Sequence, residues 1–171
     1  LRYIADLYDV SLINDNCHAI GSKHNGDIGY AVKYADIVCH SYHAVKNFTT
    51  GEGGAILTNN LNFAKKAKLL RNHGLIDRDT VKICGYNSRL DTFQAVVGNW
   101  LLPKAKSISN QRIKNATYFD QELSKINEIT IPPRPKNFRI VYHLYIVFAK
   151  KRDELYQYCL KKGIEAKVHY P

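Results

Sequence analysis

A chain of 171 residues with 45% hydrophobic and 23% charged residues, 10 Gly and 5 Pro has enough apolar content for one sizeable core or a domain and a half. This excludes a disulfide-stapled miniprotein, a collagen-like repeat and a disordered chain. Its formal charge of +10 is uneven, because residues 1–60 hold 4 Lys and Arg against 6 Asp and Glu while residues 61–171 hold 21 against 9. The basic side chains are scattered through helical patterns without a nucleic-acid motif, no apolar run reaches the ~18 residues of a membrane span, and no signal-peptide pattern is present. Neither nucleic acid nor membrane is therefore an expected partner, the expected location is cytoplasmic, and small phosphorylated or carboxylated molecules suit the basic half.

In chain order, Leu1, Ile4, Ala5 and Tyr8 recur at helical spacing, and the apolar run 10–13 reads as a short buried strand ending in Asn14-Asp15-Asn16. A Gly-punctuated loop covers 21–29. A second strand is expected over 35–39, ending near Ser41-Tyr42-His43, and the turn Thr49-Thr-Gly-Glu-Gly-Gly54 leads into a third over 54–58. Residues 60–72 place Phe63, Ala64, Ala67 and Leu70 on one helical face with Lys on the other. Asp91 is a candidate N-cap for a helix over 91–105, with Pro103 at its end or at a kink, and 107–126 reads as a long amphipathic helix. After Ile131-Pro-Pro-Arg-Pro135 the pattern predicts a strand over 142–148, a helix over 152–162 closed by Gly163, and a strand over 164–169.

Cys17, Cys39, Cys84 and Cys159 lie far apart with no C-x-x-C pair, which argues against a zinc ribbon or a redox dithiol. They read as reduced and mostly buried, and no metal site is expected. The absence of Met and the start at Leu1, inside a helical pattern, read as an interior piece that would not be a competent enzyme alone.

Asp15 with His18, Ser41 with His43, Lys46 and the Gly51-Glu52-Gly53-Gly54 turn all fall at or near strand ends, where open α/β sheets hold ligands. Singly, each has an ordinary structural explanation: Asp15 as a loop cap, His18 and His43 as packed histidines, Lys46 as a solvated charge. Together with Asn14-Asp-Asn-Cys-His-Ala-Ile-Gly21, Ser41-Tyr-His-Ala-Val-Lys46, Arg71-Asn-His-Gly74 and Gly85-Tyr-Asn-Ser-Arg-Leu-Asp91, they resemble the DegT/DnrJ/EryC1/StrS group of nucleotide-sugar aminotransferases. Tyr142-His-Leu-Tyr145 and His169-Tyr-Pro171 extend the resemblance over essentially the whole chain.

The resemblance implies an α/β fold, that of pyridoxal 5′-phosphate (PLP) transferases of the aspartate aminotransferase type. Residues 1–105 would form the second half of the PLP-binding large domain, and 106–171 a long connecting helix with most of the small C-terminal domain. It also implies roles: Asp15 beside the pyridine nitrogen, Lys46 as the Schiff-base lysine, His18 near the phenolic oxygen, and Ser41 on the phosphate. Asn87 and Arg89 would reach the partner's cofactor phosphate and substrate region across a homodimer, with His43 a packing residue or a substrate contact. PLP chemistry asks for such groups, since the ring draws electrons only while a carboxylate keeps its nitrogen protonated. The implied reaction moves an amino group from an amino acid, glutamate foremost, to a nucleotide-linked keto-sugar, with C4 preferred over C3. Asn14 and Tyr42 stand where the group usually has Glu and Phe. The group's dehydratase branch carries histidine at the lysine position, so Lys46 favours transamination. The competing reading is a basic α/β binding module carrying the same motifs as relics.

Overall fold

In the computed structural model, which describes residues 1–170, α1 (Arg2–Leu7) turns Ala5 inward and is tied to Asp36 by an Arg2 ion pair of 2.9 Å. The same carboxylate accepts the backbone N–H of Leu12 at 2.7 Å. A side chain thus holds Leu12 where a ladder would have begun, and the strand expected over 10–13 is displaced to β1 (Ile13–Asp15). Its parallel neighbour requires a crossover, and residues 16–36 provide it. They contain β2 (Lys23–His24) and α2 (Tyr30–Tyr34), a five-residue helix too short to leave a periodic pattern in the sequence.

The crossover returns to β3 (Ile37–Ser41), which pairs parallel to β1 with Ile13 opposite Ile37 and Asp15 opposite Cys39. Antiparallel to β3 on its other side lies β4 (Gly54–Leu57), with Ser41 opposite Gly54. Ala31 and Ala35 of the crossover and Val38 of β3 form a small core, against which Leu12, Tyr30 and Val32 pack. Val38 is 1% exposed, and burying such a side chain contributes about 1.5–3 kcal/mol. The Gly-rich turn is tight for a steric reason. Gly53 stands at φ +148° with Leu90 2.7 Å from where a Cβ would be, and a Cβ on Gly54 would meet the His40 carbonyl oxygen at 2.6 Å.

Asn60 caps α3 (Leu61–Leu70) by accepting the N–H groups of Asn62 and Phe63. Asp91 caps α4 (Thr92–Leu101) as expected, in a reciprocal box with Gln94. Pro103 sits in a short 3-10 turn, Leu102–Lys104, that separates α4 from α5 (Ala105–Leu123). The remaining elements are β5 (Ile129–Thr130), β6 (Phe138–Arg139), β7 (Phe148–Ala149) and α6 (Arg152–Lys161), which ends at Gly163 with φ +75°. β6 pairs antiparallel with β2, and β7 with β5.

Two expected strands are absent. Over 142–148 the chain is not extended at Tyr142, whose φ is +50°, and Arg112 occupies the carbonyls of Tyr142 and His143, so only Phe148 enters a ladder. Residues 164–169 find no ladder partner among the described residues; Ile164 instead donates back to Cys159 at the end of α6. The cysteines are free, but Cys84 is exposed and the other three only partly covered, and none belongs to the small core. No helix among the described residues is long and apolar enough to cross a membrane.

Candidate active site

Because β1 and β3 are parallel and adjacent, their carboxyl ends open at the same sheet edge, and the loops 16–21 and 42–53 begin side by side. Asp15 closes β1 and Ser41 closes β3. Asn16, 8% exposed, ties the two ends together through its amide, 2.9 Å from His40 Nε2. The Ser41 hydroxyl accepts the backbone N–H of His43 at 3.3 Å, and Lys46 N–H donates to the His43 carbonyl at 2.9 Å. This turn carries the lysine back toward Asp15.

The Asp15 carboxylate accepts the Cys17 N–H at 3.1 Å. The Cys17 thiol and N–H, with the charges of His18 and Lys46 adding, hold Asp15 below the usual carboxylate range. Burial and the neighbouring Asp15 push the Cys17 thiol up to about 11, so it stays protonated, with the Cys39 carbonyl 3.7 Å away. Burial first and the Lys46 charge second pull His18 down. The sheet edge therefore presents an ionised carboxylate, a primary amine, a neutral imidazole and a hydroxyl.

Three contributors to this edge were not singled out by sequence reasoning. The ring of His143 lies 4.2 Å from that of His18, tilted by 50°. Burial, then the charges of His18, Lys46 and Arg112, lower its pKa to about 4, and its Nδ1 is buried without a hydrogen-bond partner. Arg112 holds the segment by donating to the Tyr142 and His143 carbonyls at 3.2 and 3.3 Å. Asn47 donates to the Val141 carbonyl at 2.9 Å. The motif Tyr142-His-Leu-Tyr145 was a usable signal for His143; nothing in the sequence marked Arg112 or Asn47.

His43 stands aside from the carboxylate, half exposed, with Nε2 3.5 Å from Glu52. Asn87 and Arg89 are also elsewhere. Asn87 bridges to Asn72, and Arg89 Nη1 donates to Asn72 Oδ1 at 2.6 Å. Arg89 lines a cleft of about 1120 Å³ with Tyr42, Glu52, Arg71 and Gln94, to which Asp15, His18 and Lys46 do not contribute.

The sequence profile of the DegT/DnrJ/EryC1/StrS aminotransferase family matches residues 1–171. The chain belongs to this family. Among DegT/DnrJ/EryC1/StrS relatives, a UDP-4-amino-4,6-dideoxy-N-acetyl-beta-L-altrosamine transaminase of Campylobacter jejuni is 34% identical over 98% of this chain and 46% of its own length. The crystal structure of S. venezuelae DesV in complex with a ketimine intermediate superposes with a TM-score of 0.91 at 29% identity, over 99% of this chain and 46% of that one. A sugar aminotransferase from Streptococcus pneumoniae, solved in its PLP form, matches with a TM-score of 0.81 at 25% identity, over 98% and 46%. The chain thus spans about half the length of the relatives it matches, and its mixed α/β fold is that of the family's PLP-dependent sugar aminotransferases.

The residues at the sheet edge fit PLP by the chemistry of their donor set. A carboxylate kept ionised suits a protonated ring nitrogen, an amine suits an aldehyde, and a hydroxyl at a strand end suits a phosphate.

Proposed function

We propose that this chain supplies the lysine and the pyridinium partner of a nucleotide-sugar aminotransferase, in which Asp15, His18, Ser41 and Lys46 hold PLP and Lys46 is the catalytic group. The observation that carries the reading is the parallel register of β1 and β3, which puts an ionised Asp15 and the Lys46 amine within each other's electrostatic reach. Bound PLP supplies an electron sink for a carbanion at the amino-acid Cα.

The chain's own residues do the rest. Asp15, acceptor-only while ionised, takes a hydrogen bond from a protonated ring nitrogen and keeps it protonated. Neutral His18 offers one donor and one acceptor at the ring's oxygen side. Ser41 would donate a hydrogen bond from its hydroxyl to the phosphate. Lys46 would remove and return the proton at the amino-acid Cα. The net exchange converts an amino acid, glutamate in this proposal, to its 2-keto acid, and a keto-sugar nucleotide to the amino-sugar, with C4 as the preferred position. Lysine rather than histidine at position 46 favours this over dehydration.

Asn87 and Arg89, engaged with Asn72 in their own chain, fit a homodimer in which each subunit's 85–91 segment serves the other's site; His43 and Arg89 are the proposed substrate contacts. Residues 1–105 are then the second half of the large domain and 106–171 a long connecting helix with most of the small C-terminal domain, from which segment 139–143 returns to the sheet edge. Borohydride reduction of the PLP-loaded protein followed by peptide mapping tests the core of it. The pyridoxyl label is expected on Lys46 and lost in Lys46→Ala; a label on Lys33 or any other lysine rejects the assignment.

A further inference from the structure

Asn47 has no part in the proposal above, yet it is 8% exposed and reaches across 94 positions of sequence to Val141, itself 1% exposed. Its Oδ1 is buried without a hydrogen-bond partner, a loss relative to a satisfied group. An apolar side chain of the same volume would avoid that loss, so filling space does not account for the amide.

Around it, segment 139–143 lies over both loops of the sheet edge. Arg139 Nη1 donates to the Gly21 carbonyl at 2.6 Å, Asn47 holds Val141, and His143 rests on His18. Between the last two contacts Tyr142 adopts φ +50°, a conformation that bulky residues rarely take. Arg112, bonded to the consecutive carbonyls of Tyr142 and His143, helps to hold it there. The strap is fastened at the Asp15–Gly21 loop through Gly21 and His18, and at the lysine loop through Asn47.

We infer that Asn47 is a positioning residue for Lys46, fixing the lysine's backbone to the strap that also holds His18. The lysine loop is closed within itself by Lys46 N–H to His43 O and Thr50 N–H to Tyr42 O, both 2.9 Å. Those bonds set its shape; the Asn47 amide sets where it sits. A reactive group displaced by about 1 Å can lose about a hundredfold in rate, and Lys46 carries its amine on a long, flexible stem.

The inference rests on Lys46 as the reacting amine, but its test reads that amine without PLP. Asn47→Leu keeps the volume and removes the amide; Asn47→Ala removes both. Each variant, checked for folding by circular dichroism, is treated with limiting acetic anhydride over a range of pH, and labelling is mapped by mass spectrometry. Lys33, paired with Asp27 at 2.7 Å, serves as the internal reference. A Lys46 released from its seat is expected to react about threefold faster or more in whichever variant folds, with Lys33 unchanged, because local loosening raises access. In the loaded enzyme, kcat should fall by about tenfold or more with a smaller change in KM. Wild-type Lys46 reactivity in the variants, with only a lowered melting temperature, overturns the inference and leaves Asn47 a structural filler. Faster labelling of Lys46 in a protein that takes up no PLP would sustain the positioning role and reject the aminotransferase reading.

Discussion

Asp15 and Lys46 lie 31 positions apart in sequence and share one electrostatic environment at the ends of parallel strands, whereas Arg89, in a motif of similar density, bonds to Asn72 and faces a different cleft. The first pair meets because a parallel ladder forces two strand ends to one edge. The second segment is held by the end of α3, through Ser88 N–H to the Arg71 carbonyl at 2.9 Å and Tyr86 N–H to the Leu70 carbonyl at 2.6 Å, and by Leu90 packed on Gly53. A motif can thus sit firmly in the fold yet away from the chemistry of its own chain. The anchoring of a motif's backbone decides which cleft its side chains line, and spacing in the sequence does not report it.

The largest effect expected from this contrast concerns subunit mixing. Lys46→Ala and Asn87→Ala subunits, each inactive or nearly so, should regain about a quarter of wild-type activity when exchanged at random, since half the dimers then hold one intact site of two. No recovery among subunits shown to exchange would place both segments in one site of one chain. Next, Asp15→Asn is expected to lower turnover by roughly a hundredfold, because an amide cannot hold a proton on the ring nitrogen and a charge contact of this kind amounts to several kcal/mol. Turnover near that of wild type would remove Asp15 from the site.

A third outcome separates the two regions by pH. His143, lowered from 6.5 to about 4 by burial and neighbouring cations, binds its proton less readily in the folded state than in the unfolded chain. Above the unfolded value both states are neutral and no differential effect exists. As pH falls from 6.5 toward 4 the unfolded state takes up the proton first, so stability declines over that window and levels off below it. His18, shifted in the same direction, adds to the slope. Melting temperatures of wild type and His143→Gln across this range should differ in slope, the variant being flatter; parallel curves would deny the burial of a neutral imidazole. The smallest effect is expected at the boundary of the Arg89 segment. Asp91→Ala removes the cap of α4 and should cost about 1 kcal/mol in denaturant unfolding, with little change at the Lys46 site.

Much of the molecule was legible in sequence. Helices α3 and α4, the Asp91 cap, the stop at Gly163 and two of the three strands of the sheet, β3 and β4, follow from periodicity, an N-cap side chain and turn glycines, which act within a few residues of themselves. Asp15, His18, Ser41 and Lys46 were singled out because strand ends in α/β sheets are where such groups gather and because their spacing resembled a known family; Asp15 and Ser41 do close β1 and β3. The family assignment stands on all 171 residues.

What tertiary structure decided depends on partners far away in the chain. The capture of Leu12 by Asp36 moved the first strand, and Arg112 and the left-handed Tyr142 replaced a predicted strand with a strap. Neither competitor for the backbone hydrogen bonds is visible to a local pattern. Asn47 and Val141 are 94 positions apart, and no periodicity links them. Local chemistry chose the helices and the polar side chains at the strand ends; long-range competition for hydrogen bonds and buried space decided which of those side chains share an environment, because those energies exist only once distant segments are packed together.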